Sequence, residues 1–135
     1  MNEASSGPAK GVKSPDATRV RAVNQTRQTS LGDYIEVADR GPTRAKGLLG
    51  RKQLDPGGGM WIVPCESVHT FFMQFPIDLV YLDKGNRVRK VRHAVRPWRT
   101  SVCLSAHSII ELPAGTILRT KTEKGDLVEF IPSGA

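Results

Sequence analysis

Three side chains in this sequence have acid–base chemistry and stand where a strand would hold them: His69, Asp78 and Glu111. His69 comes just before Phe71-Phe72-Met73, and Asp78 follows Pro76-Ile77 at the entrance to Leu79-Val80-Tyr81-Leu82. Polar side chains at strand entrances can face a shared rim. Glu111 interrupts an apolar strand, between Ile110 and Leu112. A carboxylate buried there costs several kcal/mol unless it is paired or hydrogen-bonded. Arg44 and Arg51 are seven apart, hence on one face of a helix over that segment, and are its candidate partners. Two roles compete. In one, His69 is a general acid or base oriented by Asp78 or Glu111, while the arginines hold an anionic group. In the other, the carboxylates bond Arg44, Arg51 or free backbone N–H groups and fix the helix against a sheet.

Other chemistries find less support. His69, His93 and His107 with Cys65 and Cys103 show no HxH, HExxH or CxxC spacing, so no metal is expected. Neither cysteine has an activating motif, and no serine sits in a GxSxG turn. Gly57-Gly58-Gly59 lacks the GK[ST] of a phosphate loop and reads as a flexible turn, so no cofactor is expected either. Trp98, between Pro97 and Arg99, is a stacking surface for a ring or a lid over one end of the core. With Phe72, Arg44 and Arg51 it completes the candidate ligand-binding set.

Short strands must position these residues. Leu79–Leu82 and Arg87–Val95 flank Lys84-Gly85-Asn86, whose glycine and asparagine tolerate the positive φ of a tight turn, so the segment reads as a β-hairpin. Its first strand is apolar on both faces and reads as central. Its return strand is charged and reads as an edge. Further strands are expected at 31–37, 60–63, 70–75, 108–112 and 127–131, broken by Gly and Pro. Pro42 to Leu54 is the helix candidate, with Ala45, Leu48 and Leu49 as its apolar stripe and Gly47 and Gly50 weakening it. A short turn can follow Pro113-Ala114-Gly115. The pattern predicts a mostly β fold: a single-domain β-sandwich or partly open barrel of short strands with one short helix.

At 135 residues there is room for one core. The expected domain covers 28–131, behind a disordered basic tail at 1–27 and before a short C-terminal tail at 132–135. The first 30 residues hold almost no large apolar side chains. No 18-residue apolar run or apolar segment after Met1 occurs, and two cysteines 38 positions apart fit free thiols, so a cytoplasmic location without a membrane span is expected. The net charge is +7, concentrated partly in the return strand, where Arg87, Arg89 and Arg92 form a candidate surface for an acidic protein or nucleic acid. Few aromatics are interleaved with these cations, as a base-stacking platform would need.

Five blocks recur in a fixed order: Arg44…Gly47-Leu48-Leu49-Gly50-Arg51…Leu54; Gly59-Met60; His69-Thr70-Phe71-Phe72-Met73; Pro76 to Asp83; and Glu111-Leu112-Pro113-Ala114-Gly115 with Gly125-Asp126. Over about residues 31 to 130 they resemble the small prokaryotic family known as domain of unknown function 192. The resemblance implies a compact β-rich domain with a short helix, and no activity. Many relatives look exported or lipid-anchored, and this chain differs in lacking a signal segment. The reading that results is a monomeric, non-enzymatic binding or accessory module for a small polar or anionic ligand or an acidic partner. The alternative is a small hydrolase or isomerase using His69 with Asp78 or Glu111.

Overall fold

The computed structural model describes residues 18–132. Among these residues nine strands run in chain order: β1 (Thr18–Asn24), β2 (Thr29–Ala38), β3 (Gly58–Ile62), β4 (Ser67–His69), β5 (Ile77–Leu82), β6 (Val88–Val95), β7 (Thr100–Val102), β8 (Ser108–Pro113) and β9 (Val128–Pro132). Two short helices join them, α1 (Gly41–Lys46) between β2 and β3 and α2 (Thr116–Thr120) between β8 and β9. Seven strands form one sheet in the order β6-β5-β8-β3-β2-β1-β9, while β4 and β7 pair separately. The large sheet curls until its edge strands meet at one corner, through a bridge between Arg87 and Leu127 and a Val88 N–H to Asp126 carbonyl bond of 2.8 Å. The expected partly open barrel is thus a half-barrel, with two short helices instead of one.

The curl separates two apolar layers, each built by strand alternation. The enclosed layer includes Leu31, Ile35, Val80, Ile110 and Leu112, with Ile117 of α2 packed into it. The outer layer includes Met60, Ile62, Leu79, Tyr81 and Ile109, and is covered by Leu48 and Met73 from the connecting segments and by Val68 of β4. β5, the expected central strand, is buried at every position, and β6, the expected edge, is an edge of the sheet. No helix among the described residues is long and apolar enough to cross a membrane.

Several expectations need correction. The helix ends at Lys46 rather than Leu54, because Gly47 adopts φ 51°, ψ −129° and turns the chain out. Arg51 is therefore not on a helix with Arg44. Thr70–Phe75 is not a strand. Phe72 has φ 66°, and the Thr70 hydroxyl and backbone bond Arg96, Trp98 and Arg99 instead of a ladder. The glycine triplet is a turn only at Gly57 (φ 83°), since Gly58 and Gly59 open β3.

Residues 18–24, assigned by composition to the tail, form β1. Small side chains suffice there, as Val20 and Ala22 fill the enclosed layer. The buried amide of Asn24 donates to Thr122 Oγ1 and Asp126 Oδ2, both at 2.9 Å. Arg27 Nε also donates to Asp126, at 3.1 Å. These bonds offset what the segment lacks in apolar area. Residues 25–27, also assigned to the tail, turn the chain into β2, while 1–17 lie outside the described residues, as do 133–135.

Candidate functional site

The three acid–base candidates do not converge. β5 and β8 pair antiparallel with Leu79 opposite Glu111 and Asp78 opposite Leu112. Directly opposed residues project to the same side of a sheet, and successive residues to opposite sides. Asp78 therefore faces the enclosed layer and Glu111 the outer one. Asp78 is fully buried and accepts three backbone N–H groups, from Ala94 (2.8 Å), Gly115 (3.1 Å) and Ile117 (2.8 Å). It ties the end of β6 and the first turn of α2 to the centre of the sheet.

Glu111 is in the opposite condition. It is 4% exposed, and its Oε1 is buried without a hydrogen-bond partner. Burial pushes its pKa up to about 7, against a smaller downward pull from Arg51. The expected arginine partners are engaged elsewhere. Arg51 makes two bonds to Glu36, Nη1 to Oε2 at 2.7 Å and Nη2 to Oε1 at 3.0 Å. Arg44 Nη1 donates to the Asp39 carbonyl at 2.9 Å.

Glu111 lines a cleft of about 180 Å³ between the α1–Leu49 segment and the outer face of β3 and β8, with Arg44, Gly47, Cys65, His69 and Met73 also on its walls. Gly59 allows this approach. A Cβ on Gly59 would come within 2.6 Å of the Glu111 carbonyl oxygen, so only glycine lets β3 run against β8 at that point. A Cβ on Gly47 would point at Glu111 Oε1, 3.7 Å away. The Cys65 thiol is pushed up by burial and further by the Glu111 charge, which holds it protonated rather than as a nucleophile. His69 is exposed on the rim, its Nδ1 accepting the Phe71 N–H at 3.3 Å.

From His69 an aromatic shelf extends outward. Its ring lies 4.9 Å from Phe71, which stacks at 5.6 Å on Trp98, and Trp98 meets Phe72 edge-on at 4.6 Å. Trp98 (56% exposed) and Phe72 (70%) lie open to solvent, so Trp98 does not lid the core. Both adopt positive φ, 67° and 66°. Such geometry is uncommon for bulky residues and holds these rings outward.

The basic surface divides in two. Arg89 Nε reaches Ser105 Oγ (3.2 Å), Lys90 Nζ the Val102 carbonyl (2.8 Å) and Arg92 Nη1 Ser101 Oγ (3.3 Å), so these three lean on β7 and the turn after it. Arg87 turns away to the Gly125 carbonyl at 3.3 Å. No group of three or more metal-ligating side chains occurs among the described residues, and Cys65 and Cys103 are free thiols.

Residues 22–130 match the family described as Uncharacterized ACR, domain of unknown function 192 (DUF192). The chain belongs to the DUF192 family. A UPF0127 protein of Pyrococcus abyssi is 34% identical over 81% of this chain and 96% of its own length. Two solved structures share the DUF192 chain's fold. One, titled a "putative transcription regulator" from Sinorhizobium meliloti, has a TM-score of 0.74 and 23% identity over 89% of this chain and 98% of its own. The other, a protein of unknown function from Novosphingobium aromaticivorans, has a TM-score of 0.72 and 20% identity over 90% and 93%. At these identities the likeness establishes fold.

Sequence reasoning named Gly47 but gave neither it nor Lys90 a place in a site of this DUF192 domain. Lys90 was legible in the hairpin, two residues from Arg92 and so on the same face. Gly47 required knowing where the helix stops.

Proposed function

We propose that this domain is a binding module for a small polyhydroxylated ligand, a single sugar-like ring, held in the cleft over Glu111. The observation that carries the reading is the buried, unpartnered Oε1 of Glu111 on the cleft wall. An orphan acceptor in an apolar surround is costly, and a ligand hydroxyl supplies the missing donor. The exposed rings of Trp98 and Phe72, continued from His69, offer a flat surface for the apolar face of such a ring. The small cleft volume suits one ring or part of one rather than a drug-sized molecule. Arg44, half-buried on the same wall, adds a donor.

Binding is favoured over catalysis because paired carboxylates are lacking. Asp78 faces the other layer with three N–H partners, which leaves His69 and Glu111 without the second acid a glycosidase-type reaction needs. One observation favours the alternative of a small hydrolase or isomerase: a carboxyl near pKa 7 in the same cleft as a histidine suits proton transfer at neutral pH. The name carried by the Sinorhizobium structure suggests a nucleic-acid role, which would draw on the cations of β6 and not on the cleft.

The test is a panel of monosaccharides titrated into the full chain, followed by tryptophan fluorescence and amide NMR shifts. Shifts at Gly47, His69 and Glu111, weakened about tenfold by Glu111→Gln, are expected. Failure of every saccharide to move these signals would remove the reading. Turnover of a bound sugar that ceases in the His69→Ala variant would replace it with the enzymatic one.

A further inference from the structure

A second hollow lies across β4 from the cleft. Ser67, Val68 and His69 line both, so β4 is the ridge between them. The hollow measures about 430 Å³, and its opposite walls are Lys90 and Arg92 of β6 and Thr100 to Val102 of β7. Alternation explains the two cations. Tyr81 opposes Lys90 and Leu79 opposes Arg92, so both project from the outer face, on the side covered by β4 and β7.

The hydrogen-bonding inventory is one-sided. No carboxylate lines the hollow, and none is bonded to Lys90 or Arg92 among the described residues. Lys90 Nζ gives one bond to the Val102 carbonyl and sits 5.7 Å from the Tyr81 ring centre. An ammonium has three donors, so two stay free. Arg92 gives one bond to Ser101 Oγ, at 3.3 Å, out of five available donors. Ser101 Oγ also accepts the Tyr81 hydroxyl at 2.6 Å. With its oxygen accepting twice, the Ser101 hydroxyl has its own proton left to donate. Thr100 and Ser67 add hydroxyls. The hollow thus presents two fixed positive charges and surplus donors, with no negative side chain to neutralise them.

We infer that this hollow is an oxyanion site, taking a tetrahedral dianion of the phosphate or sulfate class between Lys90, Arg92 and the Ser101 hydroxyl. Guanidinium and ammonium groups bind such anions through short charge-assisted bonds, and the fork of Arg92 spans two oxygens at once. The volume exceeds that of a bare ion, which leaves room for the organic part of an ester. The site stands on its own geometry and does not require the cleft at Glu111 to be occupied.

Inorganic phosphate and sulfate are titrated into the full chain at low ionic strength, with binding read by calorimetry and by amide shifts in β6 and β7. Binding that falls about tenfold or more in Lys90→Gln/Arg92→Gln is expected, the effect of losing charge-assisted bonds to an anion. The exposed Lys121→Gln should leave it unchanged. If the double variant does not fold, Lys90→Gln alone carries the same test, since that side chain is bonded only to a surface carbonyl among the described residues. Absence of binding, or binding indifferent to Lys90, overturns the proposal. A phosphorylated sugar run beside the free ion separates the sources. Tighter binding of the ester than of the ion identifies an ester ligand, and equal binding identifies the free anion. Loss of ester binding in Glu111→Gln but retention of ion binding would show the two hollows acting on one molecule.

Discussion

Asp78 and Glu111 are both carboxylates at the heart of one pair of strands, within a residue of facing each other, and they have opposite fates. Asp78 is wrapped by three backbone N–H groups. Glu111 has a buried oxygen with none. Both are almost inaccessible to solvent, so burial cannot distinguish a structural acid from a candidate binding acid. What distinguishes them is satisfaction. A fully bonded carboxylate holds the fold, whereas an unbonded one weakens it and is open to a partner from outside.

The largest expected effect comes from removing the satisfied member. Asp78→Ala leaves three backbone donors around the α2 turn without an acceptor, at about 1–3 kcal/mol each where they are buried. A loss of roughly 3–5 kcal/mol in urea unfolding is expected. A loss under about 1 kcal/mol would mean that water replaces the carboxylate, and the contrast with Glu111 would collapse.

Glu111 should announce itself through pH. Its unfolded carboxyl ionises near 4.5 and its folded one near 7, so within that window the native state holds a proton the unfolded chain has lost. The stability that Glu111 contributes is therefore fully present below pH 4.5, is lost as pH rises through 7, and changes no further above that. The expected fall is about 3 kcal/mol, at 1.36 kcal/mol for each pKa unit. Subtracting the profile of Glu111→Gln, which has no proton to lose, isolates this slope. Parallel profiles for the two proteins would show that Glu111 is ionised and satisfied at neutral pH.

The legible parts of the molecule are those where alternation alone decides. The Leu79–Leu82 strand, the Gly85-Asn86 turn and the charged edge strand follow from residue types at period two. Glu111's isolation between Ile110 and Leu112 follows in the same way. Three things were hidden. β1 is held by long-range bonds from Asn24 and Arg27 to Asp126, and no local composition reveals a partner a hundred residues away. Thr70–Phe75 carries strand-forming residues, yet Thr70 bonds to Arg96 and Arg99 hold it as a turn. The side of the sheet on which Asp78 lands depends on the β5–β8 register, which fixes it opposite Leu112 and away from His69. Candidate residues could be read from the sequence, but which of them meet could not.

A smaller effect tests whether the contrast depends on how closely β3 runs against β8. Gly59→Ala would drive a methyl to within 2.6 Å of the Glu111 carbonyl and 2.9 Å of Ile35 Cδ1. Something must shift, at a cost of about 1–3 kcal/mol. Because Glu111 is displaced with its backbone, the pH slope should shrink along with overall stability, and Asp78 should keep its partners. Thermal unfolding at pH 5 and pH 8 separates the two consequences. A uniform loss at both pH values would place the strain away from the carboxyl.

The smallest effect on the fold, and the sharpest on function, is expected at the shelf. Trp98 is 56% exposed and touches mainly Phe71 and Phe72. Truncating it removes little buried area, so Trp98→Ala should cost no more than about 1 kcal/mol of stability. If the shelf carries one face of a ring whose hydroxyl reaches Glu111, the same variant should weaken saccharide binding about tenfold. Together with Glu111→Gln it should behave non-additively, because each contact depends on the other to orient the ring. Additive losses would mean that the shelf and the buried acid serve different ligands, and Glu111 would then be an unsatisfied group with no binding role tied to Trp98.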